Sequence, residues 1–397
     1  MSLHDTVSAE RVHIGFFGLR NAGKSSLVNA VTGQDLALVS PVKGTTTDPV
    51  RKAMELLPLG PVVIIDTPGL DDEGELGKMR VQRAQDVLRE TDAAVLVTDG
   101  TKPLCETETD LLALFRQKDI PYILARNKSD LGLLPCDEAH SIAVSAKTGE
   151  NVDLLKETLA RIAKERVREK PLVSDLVGAG ELAVLVTPID ASAPKGRMIL
   201  PQQQVMRDLL DHGAVFMTCQ PETLPRTLSA LREKPRLVIT DSQAFGRVDR
   251  DTPRDIPLTS FSILFARYKG NLARLVEGAK RLSALQTGDR VLISEGCTHH
   301  RQCGDIGTEK IPAWVRRFTG TEPEFSFTSG REFPHDLSAY RLIIHCGGCM
   351  LGETEMQSRI AEAVSAGVPV VNYGAAIAHM HGVLRRSLEP FGKEFDV

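Results

Sequence analysis

The stretch Gly18-Leu19-Arg20-Asn21-Ala22-Gly23-Lys24-Ser25 fits the spacing G-x-x-x-x-G-K-[ST] and runs on through Ser26 into a helical segment. Residues of these types can wrap a chain of phosphates. The backbone N–H groups of the loop surround the anion, the helix N-terminus adds positive partial charge, Lys24 reaches the outer phosphates and Ser25 offers its hydroxyl to Mg²⁺. Asp66-Thr67-Pro68-Gly69 supplies a carboxylate that can hold Mg²⁺ through water, and the Gly69 N–H can sense the terminal phosphate. In Asn127-Lys128-Ser129-Asp130 the Asp130 carboxylate can accept both N–H donors of a guanine edge, a pairing adenine does not offer. Ser145-Ala146-Lys147 can complete the base pocket through its backbone. Taken in this order, the motifs specify GTP and GDP, with Mg²⁺ held by Ser25 and Asp66 and with Lys24 and Gly69 acting on the reacting phosphate.

A second set of residues lies far down the chain. Cys297-Thr298-His299 and His345-Cys346-Gly347-Gly348-Cys349 contain three cysteines and two histidines that could ligate one metal centre. Three thiolates suit tetrahedral Zn²⁺ with a histidine as fourth ligand, or an iron-sulfur cluster short of one cysteine. Gly347 and Gly348 leave room for a bulky cluster and free backbone N–H groups to donate to sulfur, which tilts the choice towards iron. His299 and His345 are the candidate fourth ligands, with Glu295, His300, Cys303 and Asp305 nearby. Cys303 can be a fourth thiolate or an unligated thiol.

The elements that must position these groups can be read from apolar periodicity. From Val12 to about Ala160, apolar runs alternate with amphipathic stretches, as in a parallel sheet covered by helices on both faces. Expected strands end at Phe17, Ile65, Ala125 and Val144, each directly before one of the nucleotide motifs, with another at 93–97. Pro171 ends a charged helix that starts at Val152, because proline cannot continue it. Beyond it, Leu182 to Val186, Ala214 to Thr218 and Leu237 to Thr240 belong to a smaller α/β unit. The strands Arg290 to Ser294, Arg341 to His345 and Val368 to Asn372 belong to a third set that opens with a helix near Leu272. Both cysteine motifs then leave C-terminal strand ends, where open α/β sheets bind ligands. The expected organisation is an α/β chain with a P-loop GTPase domain at 1–170, a small α/β domain at 171–268 and an α/β metal-binding domain at 269–397. No internal repeat is evident in the sequence.

Composition sets the limits. The 397 residues suit two or three domains, and 42% apolar with 25% charged residues belongs to a globular protein. A net charge of -4 gives no footprint for nucleic acid. No run approaches the roughly 20 apolar residues that cross a bilayer, and the start of the chain lacks the layout of a secretory signal. The expected location is therefore the cytoplasm, where the seven cysteines stay reduced or bind metal.

The first domain resembles the translation-factor-like GTPases, in particular the subgroup containing Era and MnmE. The resemblance implies that Gly44-Thr45-Thr46-Thr47-Asp48 is the first switch and that Thr46 closes on Mg²⁺. It implies too that Asn21 binds a K⁺ ion beside the phosphates, so that hydrolysis is stimulated by K⁺. Leu70 stands where Ras-like enzymes carry a water-orienting glutamine, so help for hydrolysis must come from elsewhere. Across nearly the whole chain, the order of GTPase, middle domain and C-x-H … H-C-x-x-C is similar to the HydF family, the GTPase scaffolds of [FeFe]-hydrogenase maturation. That resemblance implies a [4Fe-4S] cluster on Cys297, Cys346 and Cys349 with one labile iron site. It further implies a transient diiron precursor as cargo, the radical SAM maturases HydE and HydG and the hydrogenase as partners, and a homodimer formed through the middle domain. The middle domain can equally be a spacer within one chain. A ribosome- or tRNA-associated GTPase with structural zinc is the alternative, and an iron-sulfur enzyme with its own small substrate ranks below it.

Overall fold

The computed structural model describes residues 8–34, 49–69, 84–166, 170–189, 198–297 and 305–392. The chain divides into two compact units, 1–169 and 170–397.

In the first unit the apolar runs form β1 (Val12–Gly18), β3 (Gly60–Asp66), β4 (Ala93–Asp99), β5 (Tyr122–Asn127) and β6 (Ser141–Ala143), and β2 (Val50–Leu56) joins them at one edge. The sheet order is β2-β3-β1-β4-β5-β6, parallel except for the β2–β3 pair. Alternation along β1 sends Ile14 and Phe16 into one core and Phe17 into the other, so the sheet is buried on both faces. β2 was not expected, because Arg51, Lys52 and Glu55 on a mostly exposed edge strand break the apolar pattern.

The second unit holds two four-stranded sheets. One consists of β7 (Leu182–Val186), β8 (Val215–Cys219), β9 (Leu237–Thr240) and β10 (Leu258–Ser260); the other of β11 (Arg290–Glu295), β12 (Glu324–Ser329), β13 (Leu342–His345) and β14 (Val370–Asn372). Their orders are β8-β7-β9-β10 and β12-β11-β13-β14, all parallel. The topology is thus the same twice, although no repeat is visible in the residues. One helix, Phe261–Lys269, serves both cores: Phe261, Leu264 and Phe265 pack on the β7–β10 side, while Ile263 and Ala266 pack on the β11–β14 side. Arg386 reinforces the join by donating to the Asp249 carboxylate at 2.8 Å and to the Pro253 carbonyl at 2.6 Å. No helix among the described residues is long and apolar enough to cross a membrane.

Candidate functional site

Parallel pairing of β1 with β3 sets Phe16 opposite Asp66, which brings the glycine loop and the Asp66 turn to the same sheet edge. Gly18 closes β1 at φ 156°, and a Cβ there would lie 2.4 Å from the Val97 carbonyl oxygen. Gly23, at φ 85°, precedes the helix Lys24–Thr32; its Cβ would meet Asn127 Nδ2 at 2.2 Å. Both glycines are therefore demanded by their neighbours as well as by loop curvature. Lys24 is buried and its Nζ pairs with the Asp66 carboxylate, while Ser25 Oγ donates to Asp66 Oδ2 at 3.5 Å. An ammonium, a hydroxyl and a carboxylate thus meet at one point, the set that outer phosphates and Mg²⁺ require. Thr67 anchors the turn by donating from Oγ1 to the Phe16 carbonyl at 2.8 Å, and Gly69 lies against the Arg20 backbone. Asn21 is exposed with φ 64°, a left-handed conformation that asparagine tolerates better than most residues.

The base motifs are cross-braced. Asn127 donates from Nδ2 to the Ala22 carbonyl at 2.9 Å and accepts at Oδ1 from the Ala146 N–H at 3.0 Å, so one side chain ties the phosphate loop to the 145–147 turn. Ser145 Oγ donates to Asp130 Oδ1 at 2.8 Å, aiming the carboxylate. Lys128 donates to Asp99 at 2.7 Å. Burial opposes ionisation of Asp99, but hydrogen bonds from Lys128 and Thr101 hold its carboxyl at about 2. The pair stabilises the fold above the ordinary carboxylate range, and that contribution is lost as pH falls through about 2. Ser26 and Lys147 are exposed at the rims of the two loops.

In the second unit, β11 and β13 are neighbours, with β12 outside β11 on one side and β14 outside β13 on the other, so the strand order reverses between them at the topological switch point. Gly296-Cys297 follows β11, and Cys346 to Cys349 follow β13. The Gly296 N–H donates to Cys346 Sγ at 3.0 Å and the Gly348 N–H to the same sulfur at 3.4 Å, so the two cysteine segments meet there. Burial and the neighbouring Cys349 push the Cys346 thiol up to about 11, and burial also raises Cys349. A metal must displace these protons to bind. Gly348 is needed for its φ of 64° and because a Cβ would lie 2.6 Å from Met356 Sδ, a packing reason beside the room for a cluster.

The donor set fits a thiolate-bound metal: half-buried cysteines, backbone N–H groups aimed at the Cys346 sulfur, and placement at a ligand-binding strand edge. Among the described residues, no three His, Cys, Asp or Glu side chains form a metal-sized group. Thr298, His299, His300 and Cys303 lie outside the described residues, as do Gly44, Thr45, Thr46, Thr47, Asp48 and Leu70. His345 already has partners of its own. Its Nδ1 faces the Cys346 carbonyl at 2.9 Å and its Nε2 faces Arg359 Nη1 at 3.2 Å; burial and the guanidinium push the ring down to about 3, leaving it neutral with both nitrogens engaged. Arg359 also binds Glu355 at 2.5 Å and the Gly330 carbonyl at 2.8 Å. Glu295, buried at the end of β11, accepts from Tyr373 at 3.2 Å. Sequence reading passed over Arg359 and Glu355, because an i,i+4 pair on a helix ordinarily marks a solvated face.

Residues 172–270 match the hydrogen maturase F dimerization domain and residues 273–390 the hydrogen maturase F tetramerization domain. Residues 13–128 match the 50S ribosome-binding GTPase family. The tRNA modification GTPase MnmE of Methylococcus capsulatus is 40% identical over 153 residues, covering 37% of this chain and 33% of that protein. MnmE of Hamiltonella defensa is 35% identical over 160 residues, covering 38% and 35%. The chain thus spans about a third of the length of these relatives. Among solved structures, a probable GTP-binding protein engB is similar at 25% identity and TM-score 0.33, over 39% of this chain and 100% of that one.

Proposed function

Since the chain belongs to the hydrogen maturase F family, with a GTPase domain ahead of the two maturase domains, we propose that it is a GTP-hydrolysing scaffold that carries a diiron precursor to [FeFe]-hydrogenase. The meeting of the Gly296-Cys297 and Cys346–Cys349 segments at the β11/β13 switch point carries this reading. In it, Cys297, Cys346 and Cys349 hold a [4Fe-4S] cluster. Such a cluster, when bound, supplies an iron vertex whose fourth ligand exchanges. His299 is the better candidate for that ligand, since both nitrogens of His345 are engaged. HydE and HydG supply the cargo and the hydrogenase receives it. Chain incubated with the two maturases should activate hydrogenase lacking its diiron subcluster; no activation by well-loaded wild-type chain would end the carrier assignment. The ribosome-binding match is confined to residues 13–128 and the MnmE matches cover only 37–38% of the chain, which weighs against a tRNA or ribosomal role for the whole chain.

In the GTPase domain, 1–170, Lys24 and the loop N–H groups of Gly18 to Ser26 bind the phosphates. Ser25, Thr46 and Asp66 hold Mg²⁺, Gly69 reads the terminal phosphate, and Asp130 with Ser145, Ala146 and Lys147 selects guanine. Asn21 holds K⁺ beside the phosphates, and the charge of that ion substitutes for an arginine finger. Asn21→Ala should remove the difference in hydrolysis rate between K⁺ and Na⁺ buffers; a K⁺ preference that persists would place the ion elsewhere.

The middle domain, 171–268, pairs two copies of the chain, and 269–397 holds the cluster. β8 is an edge strand whose Val215 and Met217 are 52% and 42% exposed, without the charges that usually blunt such an edge. Pairing of this edge across a two-fold axis buries both side chains. Val215→Lys with Met217→Lys should therefore convert dimer to monomer in light scattering, and an unchanged mass would move the interface off β8.

A further inference from the structure

Lys269 ends the helix Phe261–Lys269 and is only 3% exposed, which is uncommon for a lysine. A lysine in the last turn of a helix ordinarily reaches its own helix's carbonyls and stays in water. This one reaches into another segment. Its Nζ donates to the Leu351 carbonyl at 2.7 Å, and the carbonyls of Gly348 and Cys349 lie at 3.4 Å each. It also lies 5.6 Å from the centre of the Phe265 ring. Gln357 Nε2 holds the helix end in place by donating to the carbonyls of Lys269 and Gly270 at 3.0 and 2.9 Å. The ammonium is thereby fixed beneath the turn that carries Cys349.

We propose that Lys269 is a positioning residue of the cysteine site: it ties down the 348–351 turn by its carbonyls and sets one buried positive charge beside the cluster's sulfurs. The proposal rests on the cluster reading above. A cluster held by three thiolates is anionic and becomes more so on reduction, so a fixed cation close by, in a medium of low dielectric, favours the reduced form. Partial charges on three carbonyls offset only part of the cost of burying an ammonium, whereas anionic sulfur offsets more.

The test compares wild type, Lys269→Arg, Lys269→Met and Lys269→Gln in the full chain, reconstituted anaerobically with iron and sulfide. Iron content, thermal melting and an EPR-monitored reductive titration are measured on each. The neutral variants should bind iron yet be harder to reduce, with the ratio of reduced to oxidised cluster at the wild-type midpoint falling about tenfold, which for one electron is about 59 mV; Lys269→Arg should stay near wild type. Lys269→Gln keeps an N–H donor for Leu351 without the charge, so it decides the matter if Lys269→Met does not fold. An unchanged midpoint in an iron-loaded neutral variant overturns the role of Lys269. Wild-type chain that takes up no iron refutes the cluster reading itself, before Lys269 comes into question.

Discussion

Lys24→Ala is expected to lower GTP turnover by at least about 100-fold, the usual cost of removing one preorganised group that meets developing charge on the transferred phosphate. The geometry gives a second reason for a large effect. Lys24 is buried and paired with Asp66, and Ser25 leans on the same carboxylate, so the substitution removes one charge and strips another of its partner. Steady-state phosphate release measures the first consequence. Thermal melting in Mg²⁺-free buffer checks that the fold survives the second, since leaving one member of a buried pair can cost about 3–5 kcal/mol. Undiminished turnover in a folded variant would refute the assignment of this loop to phosphate binding.

Cys346→Ser should show the opposite partition, losing the cluster while GTP hydrolysis stays within about twofold of wild type. Cys346 is the sulfur towards which the Gly296 and Gly348 N–H groups converge, so its loss removes a ligand that joins the two cysteine segments. The nucleotide motifs belong to the 1–169 unit and the cysteines to the 170–397 unit, which is why the two activities should separate. Iron analysis and phosphate release on the same preparation read both. Loss of hydrolysis together with iron would contradict the separation.

The nucleotide site was legible in the sequence because each motif is short, continuous and follows an apolar strand whose direction fixes where the motif emerges. The bracing by Asn127 was not, since its bonds to Ala22 and Ala146 join segments more than a hundred residues apart in one direction and nineteen in the other. The strands β2 and β12 escaped notice because edge strands carry polar residues, and β10, also at an edge, because Leu258-Thr259-Ser260 holds a single apolar residue. The repeated sheet order in the second unit lies in the pairing of strands, which leaves no trace in residue identities. Lys269 and Arg359 look like solvated helix charges until the packing around them is known; only burial distinguishes a structural cation from a surface one. His345 and His299 were equivalent as residues in a cysteine motif, and the Arg359 contact separates them.

The presence of a [4Fe-4S] cluster is open to metal analysis of wild-type chain purified without oxygen. About four irons per chain are expected, with matching sulfide and a reducible brown chromophore that Cys346→Ser lacks. A colourless protein with about one zinc would contradict this expectation and leave a GTPase with a structural metal site.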